Sequence, residues 1–539
     1  MAEELLDTPA ALPRRKKIVI CCDGTGNEFG GPNPDPKNKS AGHNSNVVKL
    51  YTALEINNDQ VGYYHPGVGT MGAPTATHWW SREWSKAKGL AFGAGFRDNV
   101  IDAYRYLMEV YNDNGGHGNE DEVYIFGFSR GAYTARALAG LLDGYGLLCR
   151  GNEGHIPYAW RMYVAQHGQR DQREVEPNES FKKTFSHKGF RIRFVGVWDT
   201  VSSVGWITTP LRLFNLAQNS TIMRGRHAIS IDEHRCFFQD NLWGEPLSGQ
   251  DLVQAWFAGV HSDVGGSYSQ PDSGLSEITL RWMLDEVGLH ALNPDRKAGE
   301  KAVYPAGSGV LLNEERYDLV TGKVPQPKDE RDLYYRPPTL SKLHNSLTGA
   351  WWVLELIPRI YFNRDDAKKE QQLVPLGVRR RQLPHGALVH ASVAERMDTP
   401  HFRYAPKNVS REELKRDEAA HPVPVSADGT VYYRFEPKDR KRGSLVWRLF
   451  DRYVATGFFW VFDVVVLLPF LVWVAGMIVV TVVGVVSVLA CLLWHWALHC
   501  IPWAVRAVLY CSEHLLKWFV CWVGKLERLE RWCGSLWGR

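Results

Sequence analysis

Between Lys16 and about Gly288, short apolar runs alternate with stretches of helical periodicity, and this alternation constrains the fold more than any other feature of the chain. IVICC (18–22) reads as a buried strand ending in the loop DGTGN, and NVVKLYTAL reads as a helix capped by Asn46. FRDNVIDAYRYLMEVY puts Val100, Tyr104, Leu107 and Tyr111 on one helical face. The polar loop NDNGGHGNED separates it from a second strand, EVYIFGF. After Ser129 a helix stacks Ala132, Ala135, Ala139 and Leu142 and is expected to stop at Gly144. FRIRFVGVWDT (190–200) and DLVQAWFAGVH (251–261) are nearly continuous apolar runs, as strands covered on both faces require. LSEITLRWMLDEVG then reads as a helix ending at Gly288. The expected fold is α/β: a mostly parallel, α/β-hydrolase-like sheet flanked by helices.

The chain has 539 residues, too many for one compact core. Residues 1–15 read as a flexible segment with no secretory signal, and 16–290 as the catalytic domain. Residues 291–440, rich in Pro, Arg and Asp, read as a polar subdomain or insertion with one helix candidate, SLTGAWWVLELIPRIYF. Residues 441–539 read as a membrane-associated helical region. Within it, 464–505 contains 42 residues without Asp, Glu, Lys or Arg. As one straight helix that run would span roughly 60 Å, about twice a bilayer core, so a tight hairpin or one tilted span plus an interfacial piece is expected. Residues 513–537 repeat Leu515, Phe519, Trp522, Leu526, Leu529 and Leu536 at helical spacing, with Lys517, Lys525, Arg528 and Arg531 on much of the polar side, the pattern of an interfacial amphipathic helix. His495 and His499 stand four apart, a spacing far more often structural than metal-binding.

A net charge of +4, with no basic stripe interleaved with aromatics, gives no ground for a nucleic-acid partner. The nine cysteines lack metal-ligand spacing and read as reduced thiols. No cofactor is expected.

Gly127-Phe128-Ser129-Arg130-Gly131 fits G-x-S-x-G between a strand and a helix, where the motif holds a nucleophilic serine on a strained turn. Gly127 and Gly131 let strand and helix approach, and the Arg130 N–H opens the helix, where it can stabilise an oxyanion. A serine needs a base, and the base needs an orienting acid. Asp199 and His261 both end apolar strands, so in a parallel sheet they converge with Ser129 on one edge. Asp263 is the rival acid or a loop fastener. A second oxyanion donor is expected from CDGTGN, as Gly24 or Thr25, with Asp23 fastening that loop or touching substrate. SVGWITTPLRLFNL (203–216) is a candidate acyl pocket or lid.

The strings ICCDGTGN, NVVKLY, YHPGVGT, GFSRGAYTAR, FVGVWDTV, AISIDEHR and WFAGVHSDVGGSY, followed by LSEITLRWML, together resemble one family over roughly residues 16–290. It is the α/β-hydrolase domain family that includes phospholipase effectors of type VI secretion. The resemblance implies phospholipase A-type cleavage of glycerophospholipid esters by Ser129, Asp199 and His261. It also implies membrane phospholipids as substrates, and a secretion-machine component or an immunity protein as partner. The missing signal is compatible with delivery by such a machine. Two alternatives stay open: an esterase or thioesterase acting on a soluble ester, and a membrane-binding or pore-forming protein with the hydrolase domain as scaffold.

Overall fold

The computed structural model describes residues 15–24, 43–67, 95–116, 119–165, 175–201, 218–269, 272–287, 309–313, 316, 341–348, 351–355, 359–362, 370–373, 380–416, 432–437, 487, 490, 515–522 and 524–525. The chain divides into two compact units, Met1–Arg442 and Gly443–Arg539. In the first unit the elements run β1 (Lys17–Cys22), α1 (Asn46–Ala53), β2 (Gln60–His65), α2 (Phe96–Val110), β3 (Glu122–Phe128) and α3 (Arg130–Tyr145). They continue with α4 (Ile156–Ala165), α5 (Val175–Phe185), β4 (Ile192–Trp198), β5 (Ile222–Ser230), β6 (Asp251–Phe257), α6 (His261–Gly265) and α7 (Gly274–Glu286). Beyond lie α8 (Trp351–Leu354), β7 (Arg359–Phe362), β8 (Glu370–Leu373), β9 (Leu388–His390), α9 (Ala391–Asp398), β10 (Leu414–Arg416) and β11 (Tyr432–Phe435).

The main sheet runs in the order β10-β11-β9-β6-β5-β4-β3-β1-β2. Pairings from β2 across to β9 are parallel, and β11 and β10 close that edge antiparallel. Strand residues alternate between two cores. Ile18 and Ile20 pack with α2 and α3, whereas Val19 and Cys21 pack with α1 and α7. Burial on both faces is why these strands read as continuous apolar runs. The order reverses at β1, so the loops after β1 and β3 open outward at the switch point where α/β sheets place their sites.

Several expectations change. Ser45, not Asn46, caps α1: its hydroxyl accepts from Val48 N at 3.2 Å. Asn46 instead sends its amide to Val264 O, Ser276 O and Thr279 Oγ1, tying α1 to α6 and α7. α3 runs past Gly144 to Tyr145 and is closed by Gly146 at φ 73°. The aromatic helix candidate forms only α8 and then turns into β7, which pairs with β8 in a separate two-stranded sheet.

β5 is not evident in the sequence because Arg224, Arg226 and His227 interrupt its apolar pattern. In the sheet, Arg226 is satisfied by Glu286 Oε2 at 2.5 Å and Asp251 Oδ2 at 2.8 Å, so a central strand tolerates it. Residue 290 is not a boundary of the sheet either. β9, β10 and β11 come from the stretch expected to be a polar insertion, and they cover a third core of Ile229, Ile231, Trp256, Val389, Leu414 and Phe435.

In the second unit, no helix among the described residues is long and apolar enough to cross a membrane. The uncharged run 464–505 lies outside those residues apart from Ser487 and Ala490, as do His495 and His499. Residues 515–522 are helical, as the amphipathic pattern predicts, but Leu516, Trp518 and Val520 are exposed along with Leu515, Phe519 and Trp522. The described turns are therefore apolar around most of their circumference rather than along one stripe.

Candidate active site

Ser129 follows β3 directly at φ 59° and ψ −122°, a left-handed backbone that a non-glycine residue adopts only under constraint. The flanking glycines make the turn possible. A Cβ on Gly127 would lie 2.6 Å from Gly131 O, and one on Gly131 would lie 2.2 Å from Cys22 O. Close packing of α3 against its own strand and against the end of β1 thus holds Ser129 at the top of the sheet.

Asp199, one residue beyond β4, is also left-handed at φ 41°, and His261 opens α6 after β6. The three side chains are buried and meet. His261 Nδ1 lies 2.6 Å from Asp199 Oδ2, and Nε2 lies 2.8 Å from Ser129 Oγ. A carboxylate only accepts, so the neutral imidazole carries its proton on Nδ1 and turns the Nε2 lone pair to the serine. Rings of Phe128 and Phe238 flank the imidazole at 4.7 and 4.6 Å between centroids.

Burial works against the Asp199 charge, but the Arg381 guanidinium and the His261 hydrogen bond outweigh it and hold the carboxyl well below its usual range. For His261 the balance goes the other way. Burial lowers its pKa by more than Asp199 raises it, so the ring favours the neutral form a base requires.

The remaining predicted residues take different places. Arg130 is the first residue of α3, which sets its N–H at the helix N-terminus beside Ser129. Asp23 is bonded to β2 and within its own loop: Oδ2 accepts from Tyr64 Oη at 2.8 Å and Oδ1 from Gly24 N at 2.6 Å. The Gly24 N–H is therefore turned into Asp23 rather than toward Ser129. Thr25 and the segment 203–216 lie outside the described residues. Asp263 does not touch the His261 ring. It caps α6 by accepting from Val260 N at 3.0 Å, and its other oxygen lies 2.6 Å from His344 Nδ1.

Residues unforeseen from the sequence complete the arrangement. Ser230 offers its N–H to Asp199 Oδ1 at 2.9 Å and its hydroxyl to Oδ2 at 3.2 Å. Glu233 accepts the His261 backbone N–H at 3.1 Å and is itself held by Arg235, which overrides burial and brings its pKa down to about 2. Arg381 grips both Asp199 oxygens. Ser230 and Glu233 stand in the string AISIDEHR, whose polar residues so close to an apolar start were the available signal. Arg381 sits in an Arg379-Arg380-Arg381 run that reads as solvated surface, and nothing in the sequence marks it.

Comparison with known proteins places the chain in a family. The family model for the type VI secretion (T6SS) phospholipase effector Tle1-like catalytic domain matches residues 16–286. An uncharacterized protein of Saccharomyces cerevisiae, YEL023C, is 35% identical over 236 residues, which is 42% of this chain and 32% of that protein. The chain thus spans about a third of that relative's length. Two solved structures are more distant. A crystal structure of an uncharacterized protein from Pseudomonas aeruginosa is 20% identical, with a TM-score of 0.32 over 51% of this chain and 46% of that one. The structure of the Tle1 effector bound to the VgrG spike of the type 6 secretion system is 19% identical, with a TM-score of 0.26 over 49% and 53%. Neither likeness is close enough to bear on fold or partners. The match to the family model covers half of the chain, and the protein belongs to the family of Tle1-like phospholipase effector catalytic domains.

Proposed function

We propose that the protein is a serine hydrolase of the phospholipase A type, acting on acyl esters of glycerophospholipids. The observation that carries this reading is the unbroken chain Asp199–His261–Ser129, whose last member sits on a left-handed turn at the mouth of a parallel sheet. Ser129 Oγ gives its proton to His261 Nε2 as it attacks the ester carbonyl. The Arg130 N–H, at the start of α3, receives the developing oxyanion. The imidazolium returns its proton to the departing alcohol, leaving an acyl-serine. Water, deprotonated by the same nitrogen, releases the fatty acid and restores Ser129. Asp199 holds the Nδ1 proton throughout.

Membership of the family supports a lipid ester over a soluble one, and its description adds delivery by a type VI secretion machine as the route. One relative is a yeast protein, so the chemistry is proposed independently of that route. The test is fatty-acid release from mixed phospholipid vesicles by full-length protein, compared with Ser129→Ala. Release by the wild type and loss of several orders of magnitude in the variant is the expected result. Equal release by both would remove Ser129 from the chemistry. Vesicle leakage by both without release would favour the pore-forming alternative.

A further inference from the structure

Arg381 is 6% exposed and makes an unusually complete set of hydrogen bonds for a residue nearly a hundred positions beyond the family-matched span. One terminal nitrogen donates to Asp199 Oδ1, to Ser230 Oγ at 2.8 Å and to Ser230 O at 3.2 Å. The other donates to Asp199 Oδ2 at 3.1 Å and to Phe238 O at 2.6 Å, and Nε reaches Phe238 O at 3.2 Å. The backbone is tied as well: Asn408 Nδ2 donates to Arg381 O and to Ile231 O, both at 3.0 Å. The fork therefore touches the carboxylate that holds His261, the strand end that orients that carboxylate, and the loop whose Phe238 ring packs on the imidazole.

We propose that Arg381 is a positioning residue for the reaction, fixing the plane and charge of Asp199 so that His261 presents Nε2 to Ser129. The proposal rests on the serine-hydrolase reading above. A planar guanidinium grips both carboxylate oxygens while meeting two carbonyls, which an ammonium cannot do. Arg381 also supplies the counter-charge that a buried carboxylate requires. Other charged or titratable groups around the pair are Glu233 and Arg235, beyond β5, and His227 on β5, which burial keeps neutral down to about pH 3. A merely structural ion pair would stabilise the fold without governing protonation of the Asp199–His261 pair.

The experiment is covalent labelling of Ser129 by a fluorophosphonate, in which the serine oxygen displaces fluoride from phosphorus and His261 takes the proton. Rates are followed against pH in full-length wild type, Arg381→Gln and Arg381→Lys, each checked by thermal melting. In Arg381→Gln the labelling rate is expected to fall about 100-fold. Its acid limb should move up by about one pH unit, because removing the cation lets the Asp–His pair hold its proton more tightly. Arg381→Lys keeps the charge and loses the fork, so its limb should stay in place while the rate falls about tenfold. A wild-type limb in Arg381→Gln, or a wild-type rate in Arg381→Lys, overturns the proposal. If Arg381→Gln does not fold, the lysine variant decides alone. Failure of the wild type itself to label would instead refute the hydrolase reading.

Discussion

Two aspartate–histidine pairs each have one member in α6, and their bonds are the same length. His261 Nδ1 meets Asp199 at 2.6 Å, and His344 Nδ1 meets Asp263 at 2.6 Å. Their surroundings differ. Asp199 is compensated by Arg381 and Ser230, and its histidine turns the far nitrogen to Ser129. Asp263 spends its second oxygen on the N–H groups of Val260 and His344, and its histidine lies flat on Tyr268 with centroids 3.8 Å apart. A short Asp–His bond is thus no signature of chemistry by itself. What separates the two pairs is the Arg381 counter-charge on Asp199 and the Ser129 hydroxyl at the outer nitrogen of its histidine.

The sharpest way to break this comparison is to neutralise each carboxylate in turn. Asp199→Asn should lower kcat for fatty-acid release by about four orders of magnitude, because the amide favours the wrong imidazole tautomer. Asp263→Asn should change kcat by less than about tenfold while lowering stability by about 1–3 kcal/mol, read as a drop in Tm, because its loss is a helix cap and a buried bond. A large kcat loss in Asp263→Asn at unchanged Tm would erase the distinction.

Next in size is Gly131→Ala, whose Cβ would meet the Cys22 and Asp23 carbonyls at 2.2 and 2.4 Å. It should destabilise the fold by about 3 kcal/mol or more, since backbone must move, and denaturant midpoints would show it.

The pH dependence sharpens the difference further. Burial holds His261 below the ordinary histidine value, so Nε2 stays unprotonated into mildly acidic solution. The acid limb of kcat/KM is therefore expected below about pH 6.5, and a limb above that value would contradict the burial argument.

The smallest effect concerns a third carboxylate beside these two. Burial raises Asp232 to about 6, against the opposing bonds from Gly259 N and Tyr404 Oη. Its folded pKa lies above its unfolded one, so its contribution is present at low pH and is lost as pH rises through about 6. Asp232→Asn should raise Tm relative to wild type near pH 8, by at most about 3 kcal/mol of stability, and the gain should fall to about half near pH 5 and vanish below about pH 4. Equal gains at high and low pH would show that the carboxyl is not the titrating group.

Much of the sheet and the three central side chains could be read from the sequence because their signals are local. Apolar runs buried on both faces announce strands β1, β3, β4 and β6, and a serine between two glycines at a strand end announces a strained turn. Once the strands are taken as parallel, Ser129, Asp199 and His261 must share an edge. β5 is hidden because the charges of its arginines are compensated by carboxylates from elsewhere, Arg226 by Glu286 and Asp251. Asn46 misleads for a related reason: as an amide before an apolar run it looks like a cap, and only the neighbouring helices show that it is a buried cross-link. The sequence alone therefore determined the parallel α/β core and the convergence of Ser129, Asp199 and His261 on one edge, since strand burial and turn sterics are written in adjacent residues. Only the tertiary structure decided which aspartate serves His261 and that Arg381 reaches back to Asp199. Those outcomes depend on hydrogen-bond directions between segments up to 182 residues apart, which no local pattern encodes.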